Sequence, residues 1–358
     1  MLRVKFLTFT LRVLVILVST GTLVQHGAST ASAQASPNAV KIQFSAAAEL
    51  QNEGLFELAV GEWRAFLEKF PNDPLAAKAR HYLGVCLIQE KQYPDAAAEL
   101  SKIVTQHPKF ELLDETLLNL GSAQYQIAVV ADAPQRYAEP AATYGKLLTQ
   151  FPDSKLVPTA LYNQGECYYA MGQREKAAAA YDTFLKKFAD HKLRSDAIYA
   201  LGVTQLELKQ AAAAQATLDQ FLKSFPDHQQ STQVKMYKAD ALFEQEKFKE
   251  AAKLYTEVAA TDGFELADRC VMRQADCLTS LKQYPQAADL FATIPQNFPK
   301  SAHVPAATLA AGSRYHLAGN HQQAIAWLSK STGEPAVEAA HWLARAYLSQ
   351  KKPAEALA

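Results

Sequence analysis

The sequence predicts an all-α protein in which helix–turn–helix units of 36–37 residues repeat along the chain. A Gly or Ala recurs at this spacing, and in most units an Ala follows it twelve positions later. A large apolar residue comes four positions after that Ala, and a Phe-Pro pair or a related pair closes many units. Columns shared by successive segments are typical of a repeat array in which each unit packs only against its neighbours.

The column of small residues defines the units. It comprises Ala47, Gly84, Gly121, Gly165, Gly202, Ala239, Ala275, Gly312 and Ala344. The Ala twelve positions later is Ala59, Ala96, Ala177, Ala214, Ala251, Ala287, Ala324 and Ala356. Small residues at both positions let the two helices of a unit approach closely, and the large residue fills the space between them. Those large residues are Trp63, Leu100, Tyr144, Tyr181, Leu218, Tyr255, Phe291 and Leu328.

Each unit reads as two helices separated by a short break. In the fourth unit Leu161, Gly165 and Tyr168 recur at helical spacing, and Ala177 and Tyr181 resume the pattern after the segment MGQRE.

The breaks and the ends of the units carry residues that stop helices. Gly172 and Gly319 are expected to take the positive φ that ends a helix. The proline of pairs such as Phe70-Pro71 and Phe225-Pro226 cannot continue a helix, so it separates one unit from the next.

The third unit is irregular, because about seven extra residues around Val129–Gln135 separate its two halves. Long loops in repeat arrays often lie on one face and contact partners. The Ala, Val and Pro content of this segment fits a lengthened first helix followed by a turn equally well.

The first 35 residues are predicted to be an export signal. Arg3, Lys5 and Arg12 give a positively charged start, a short apolar core begins at Val13, and two Ala-x-Ala patterns end at Ala33 and Ala35. We therefore expect a signal peptide at residues 1–35, a linker at 36–39 and the repeat array at 40–358. A cleaved signal makes the protein periplasmic or secreted; the alternative is an uncleaved segment that anchors it to the inner membrane.

Composition excludes several classes of protein. Lys plus Arg and Asp plus Glu both number 36 in 358 residues, so no net charge attracts nucleic acid or anionic lipid. Four cysteines are too few for a disulfide scaffold. Cys86, Cys167 and Cys277 share one repeat position, which favours a packing role.

No catalytic or phosphate-binding motif is present in the sequence, and the histidines are scattered. His316, His321 and His341 form the nearest thing to a cluster. We therefore expect a protein that is not an enzyme, with no cofactor and no metal.

The repeat length, the order of small residue, Ala, aromatic residue and Pro, and the two helices per unit resemble the tetratricopeptide repeat (TPR) family. The resemblance implies a right-handed superhelical solenoid. Segments such as FLKKFADHKLRSDAIYALGVTQLELKQ further resemble periplasmic TPR proteins, among them the Tol–Pal-associated cell-division coordinator and the TPR lipoprotein of outer-membrane barrel assembly.

The resemblance also implies which residues line the concave groove. They are the residues three before, one after and four to five after each small residue. The candidates are Tyr125, Tyr162, Glu166, Tyr169, Tyr199, Glu207, Asp240, Phe243 and Glu244. Tyr provides a large contact area with a polar tip, and the carboxylates favour basic or amide-rich ligands. The alternative is that about half of the tyrosines pack between adjacent helices.

These observations predict a non-enzymatic, exported scaffold that binds a protein or peptide partner, in cell-envelope assembly or maintenance. Peripheral association with envelope membrane complexes is compatible with it. The alternative is the N-terminal adaptor of a larger enzyme or secretion component. That alternative rests on the ninth unit, which opens at Ala344 and reaches Ala358 before the position at which its large apolar residue is expected. Either the chain is a fragment of a longer protein or its last helix frays.

Overall fold

A computed structural model describes residues 37–357 of the protein. Across this range there are eighteen α-helices, one short 3₁₀ helix and no β-strand, so the all-α prediction is confirmed. The predicted export signal at residues 1–35 lies outside the described residues. The first helix begins at Pro37, so residues 37–39, which the sequence analysis placed in a linker, are helical.

The helices fall into two compact units, of which the first ends at His191 and the second begins at Lys192. The first unit contains α1 Pro37–Asn52, α2 Phe56–Lys69, α3 Ala76–Gln89, α4 Tyr93–Gln106, α5 Leu113–Ala131, α6 Ala138–Gln150, α7 Val157–Ala170 and α8 Arg174–Lys187. The second contains α9 Arg194–Glu207, α10 Ala211–Ser224, α11 Ser231–Glu244, α12 Phe248–Ala259, α13 Ala267–Ser280, α14 Tyr284–Asn297, α15 Val304–Leu317, α16 His321–Leu328, α17 Ala336–Ser349 and α18 Pro353–Leu357.

Odd-numbered helices are the first helices of the repeats (A helices) and even-numbered helices are the second (B helices). Within each compact unit, every helix packs against the next one along the chain. This consecutive packing is the arrangement that the repeat columns predict.

The core consists of those columns. Seven of the eight large residues, from Trp63 to Phe291, are completely buried, and Leu328 is almost so. The Ala column is also buried from Ala59 to Ala324, whereas Ala356, on α18, is half-buried. A second apolar column, three residues after the large one, also belongs to the core. Its buried members include Phe66, Ile103, Leu147, Phe184, Phe221, Val258 and Ile294.

The turn inside each hairpin uses one residue of positive φ. Gly172 and Gly319 have φ of 77° and 80°, as the sequence predicts. The same position, seven residues after the small residue, is occupied by a non-glycine residue in five other repeats. These residues are Lys91, Lys209, Glu246, Lys282 and Lys351, with φ of 59–60°. In the fourth repeat the turn is closed by backbone bonds from Gly172 to Tyr169 and from Gln173 to Tyr168.

The irregular third repeat has a lengthened A helix followed by a turn. Helix α5 runs for 19 residues to Ala131, where Asp132, with φ of 47°, ends it. The 3₁₀ helix Pro134–Tyr137 follows and packs on α5, α6 and α7. The partner-contact alternative stays a prediction, although the lengthened helix exposes Val130 to solvent.

None of the helices in residues 37–357 combines the length and apolarity that a bilayer crossing requires.

Candidate functional site

Three of the large B-helix residues in the core are tyrosines, and each hydroxyl has a partner on the A helix of its own repeat. The Tyr181 hydroxyl donates to Glu166 Oε1 at 2.5 Å, and the Tyr255 hydroxyl donates to Asp240 Oδ1 at 2.5 Å. The Tyr144 hydroxyl lies 3.3 Å from Ser122 Oγ. The acceptors occupy the same position, one residue after the small residue. A buried tyrosine hydroxyl needs such a partner, so these contacts account for the polar side chains of Glu166 and Asp240 at this position.

These contacts also determine the electrostatics of the tyrosines. Burial, together with the adjacent charge of Glu166, raises the pKa of Tyr181 well above its usual value. Burial and the charge of Asp240 do the same to the pKa of Tyr255. Both hydroxyls therefore remain protonated donors at physiological pH.

The candidates three residues before the small residue, Tyr162 and Tyr199, lie in the interior. Tyr162 is 7% exposed, and its ring centroid is 5.8 Å from that of Tyr181 and 6.2 Å from that of Phe184. Tyr199 is 5% exposed and packs edge-to-face on Tyr237, on the next A helix, at 5.9 Å. In these two repeats the position packs neighbouring helices together, as the alternative interpretation anticipates.

The candidates four residues after the small residue lie nearer to solvent. Tyr169 and Phe243 are half-buried, and each carries a guanidinium on its ring. Arg174 lies 3.8 Å from the Tyr169 centroid, and Arg273 lies 4.1 Å from the Phe243 centroid. Arginine on an aromatic face is a favourable contact that leaves guanidinium edges available for hydrogen bonds.

Tyr125 occupies the same position in the third repeat but is covered by the extra segment. Tyr137, the last residue of the 3₁₀ helix, packs edge-to-face on it with ring centroids 5.1 Å apart. Burial raises the pKa of Tyr125, with a further contribution from the charge of Glu166. The extra segment therefore closes this part of the A-helix surface.

Glu207 and Glu244, five residues after the small residue, are exposed at the ends of α9 and α11. Lys209 Nζ lies 3.4 Å from Glu244 Oε1. Side chains of two successive repeats therefore meet at the C-terminal ends of their A helices.

Asp240 is the centre of a charged network that spans two A helices. Its carboxylate accepts from Arg269 at 2.5 Å and from Tyr255, and Arg273 Nε lies 3.6 Å away. The Asp240 side chain is only 10% exposed, so two arginines and a hydroxyl compensate a carboxylate that water barely reaches. The repeat pattern indicates Asp240 but neither arginine, because Arg269 and Arg273 are 29 and 33 residues away along the chain.

The structure therefore brings some candidates together and separates others. In the second compact unit Asp240, Phe243 and Glu244 lie on one helix. Arg273 is a neighbour of both Asp240 and Phe243. In the first unit Glu166 and Tyr169 lie on one helix, while Tyr162 points into the core. The A-helix face of each compact unit is defined by the A-helix residues one, four and five positions after the small residue. It comprises those of them that are half-buried or exposed.

The cysteines are packed within the helical framework, and two of the histidines, His316 and His321, lie side by side. All four cysteines are buried and free, and burial raises the pKa of Cys86, Cys270 and Cys277 to about 12. His316 Nδ1 lies 3.2 Å from His321 Nδ1. Over residues 37–357, no three side chains of His, Cys, Asp or Glu converge as metal ligands.

Known proteins give two kinds of match. One tetratricopeptide repeat model matches residues 159–191, and a second matches residues 44–109, 199–262 and 236–302. No curated protein matches the sequence.

Solved structures share the fold at low sequence identity. A tetratricopeptide repeat protein from Parabacteroides merdae is 14% identical with a TM-score of 0.50, over 79% of this chain and 99% of that one. The apo form of RapI is 13% identical with a TM-score of 0.56, over 77% of this chain and 82% of its own. The C-terminal part of a TPR repeat-containing protein from Cytophaga hutchinsonii is 12% identical with a TM-score of 0.56, over 72% and 98%.

The repeat models together match more than half of the sequence, and the helices pair as those models require. The chain belongs to the tetratricopeptide repeat family.

Proposed function

We propose that the protein is a non-enzymatic scaffold that binds an extended segment of a protein partner along the A-helix face, in assembly or maintenance of the cell envelope. Association with envelope membrane complexes would then pass through that partner. The observation that carries the proposal is that two half-buried aromatic residues, Tyr169 in the first compact unit and Phe243 in the second, are each held under an arginine on the A-helix face of their own unit. Rigid aromatic anchors beside charged groups are typical of binding hot spots.

The polar groups of the A-helix face are suited to binding a partner. Glu166 and Asp240 hold buried tyrosine hydroxyls, and the cysteines are buried with raised pKa values, so these groups act in packing. Glu207 and Glu244 remain exposed at the edge of the face, where polar groups add specificity at the rim of an interface.

Binding is tested with a phage-displayed library of random dodecapeptides selected on the purified protein. Enriched peptides are synthesised with a fluorescent label, and their affinities are measured by anisotropy for the wild type, Tyr169→Ala and Phe243→Ala. We expect at least one substitution to weaken binding about tenfold or more, the range of a hot-spot residue.

Leu58→Ala is the matched control, because Leu58 is 59% exposed and lies on a B helix, α2. It should leave affinity unchanged. If no peptide is enriched, or if the control weakens binding as much as the two A-helix substitutions do, the proposed binding face is wrong.

Export is the second part of the proposal, and it rests on Arg3, Lys5 and Arg12 before an apolar core and two Ala-x-Ala patterns. The full sequence would be expressed in a Gram-negative host, and the protein from the osmotic-shock fraction analysed by mass spectrometry. We expect a mature N-terminus after Ala33 or Ala35. A full-length protein that stays in the cytoplasmic fraction would contradict export, and a full-length protein in the inner membrane would favour the anchored alternative.

A further inference from the structure

Asp276 is the one acidic residue of its repeat column that has no tyrosine to hold. It lies one residue after the small residue Ala275, at the position of Glu166 and Asp240. The large residue opposite it on the B helix is Phe291, which has no hydroxyl. Three repeats have Leu at the large position, which likewise carries no hydroxyl. The residues of these repeats equivalent to Asp276 are Val85, Val203 and Ser313, none of which is acidic. Packing inside the hairpin therefore does not account for a carboxylate at residue 276.

The surroundings of Asp276 are cationic and polar. Arg273 Nη1 is 3.8 Å from its carboxylate, which is beyond hydrogen-bond distance. The charges of Arg314 and His303 also act on it, yet burial outweighs all three and raises the pKa of Asp276. The Asp276 side chain is 33% exposed, so its oxygens are partly withdrawn from water and still accessible on the A-helix face.

The two arginines are held in place by their own contacts. Arg273 lies on the Phe243 ring and beside Asp240. Arg314 donates to Ser313 Oγ at 2.8 Å and to Thr279 Oγ1 at 3.4 Å, and among the described carboxylates none lies within 4 Å of it. The structure thus places an acceptor, Asp276, beside a guanidinium donor on α13, and the charge of a second guanidinium on α15 acts on it.

We propose that Asp276, with Arg273 and Arg314, is the subsite of the A-helix face that recognises an amide of the partner segment, an Asn or Gln side chain. The carboxylate accepts the amide N–H and a guanidinium donates to the amide carbonyl. A neutral amide supplies one donor and one acceptor and requires no further charge compensation. The bond to an ionised carboxylate is of the stronger, charge-assisted type. This inference rests on the proposed function.

The test uses the same phage-displayed dodecapeptide library and compares the wild type with Asp276→Val. Val85 and Val203 occupy the equivalent position in two other repeats, so the fold accommodates this substitution. Asp182→Val, on the exposed side of helix α8, is the matched control. Circular dichroism and thermal melts confirm that both variants fold.

We expect peptides selected on the wild type to be enriched in Asn or Gln. Their affinity should fall about tenfold for Asp276→Val and not for Asp182→Val, and a Gln→Glu change within the peptide should weaken it similarly. A pool enriched instead in Asp and Glu, or unchanged affinity for Asp276→Val, overturns the amide subsite. If the selected peptides still depend on Tyr169 or Phe243, the binding function stands without it; if no peptide is selected, the binding function itself fails.

Discussion

A Cβ atom at Gly165 would lie 2.7 Å from Cε1 of Tyr181, closer than two non-bonded carbons can approach. The same relationship recurs at Gly84 with Leu100 and at Gly202 with Leu218, at 2.5 and 2.6 Å. In these hairpins the large B-helix residue therefore occupies the space of the missing side chain, which is why the two columns of the sequence keep a fixed spacing.

Gly165→Ala should destabilise the protein by about 1–3 kcal/mol, because the buried Tyr181 ring cannot move without displacing its neighbours. Gly61→Ala is the control, since Gly61 is an exposed residue within helix α2 and a Cβ there meets nothing within 4 Å. The control should stabilise the protein by about 0.5–1 kcal/mol through helix propensity. Urea denaturation measures both; the same sign for the two substitutions would show that the close contact is not limiting.

Lys282→Gly should stabilise the protein by about 1 kcal/mol. Lys282 has a φ of 59° in the turn between α13 and α14, a conformation that glycine adopts without steric cost. Gly172→Ala, at the corresponding turn with φ of 77°, is the reciprocal change and should destabilise by a similar amount. Thermal melts of the two variants should shift in opposite directions, and a lower melting temperature for Lys282→Gly would contradict the expectation.

His81 should make the protein less stable as pH falls from 7 to 5. Its Nδ1 lies 2.9 Å from Thr116 Oγ1, whose own hydroxyl donates to the Leu112 carbonyl, so His81 is a neutral donor. Burial lowers its pKa from 6.5 to about 4, with a further contribution from the charge of Lys78. Between these values the unfolded chain binds a proton that the folded chain does not. Stability is therefore complete above pH 6.5, and about 2 kcal/mol of it is lost by pH 5.

His81→Asn keeps a hydrogen-bond donor near Thr116 but does not titrate. Urea-unfolding free energies at pH 5 and pH 7 should therefore differ less for this variant than for the wild type, by about 2 kcal/mol. An identical difference for both proteins would show that His81 is not responsible.

Phe184→Ala should cost about 3–5 kcal/mol, as large truncations in a packed core do. Phe184 is fully buried, and its ring contacts Tyr162, Phe188 and His191. Because units of an array depend on their neighbours, amide protection should be lost first in α7 and α8. Hydrogen exchange with mass spectrometry checks this, and Lys186→Ala on the exposed side of α8 is the control. Unchanged protection in α7 and α8 would show that Phe184 does not stabilise these helices.

Much of the fold follows from the spacing of residues along the sequence, because Gly165, Ala177 and Tyr181 can pack together only across a hairpin of fixed length. The turns were predictable where glycine stands, at Gly172 and Gly319. They were not signalled where Lys282 takes the same conformation, since nothing in a lysine indicates positive φ.

The candidate site was less predictable. Whether Tyr162 and Tyr199 face solvent depends on the neighbouring helices, and the period of one helix does not contain that information. The arginines around Asp240 were missed because long side chains reach it from another helix, 29 and 33 residues away. The pairing of Tyr181 with Glu166 and of Tyr255 with Asp240 was readable in principle, as a tyrosine accompanied by an acidic residue fifteen positions earlier.

That pairing means that the hairpins are not freely exchangeable modules. Grafting an A helix that carries Val203 opposite Tyr255 would strand a hydroxyl in a dry interior, and moving Asp240 opposite Leu218 would strand a carboxylate. Shuffling or duplication of repeats in this chain, by evolution or by an engineer, must therefore transfer both halves of a hairpin together.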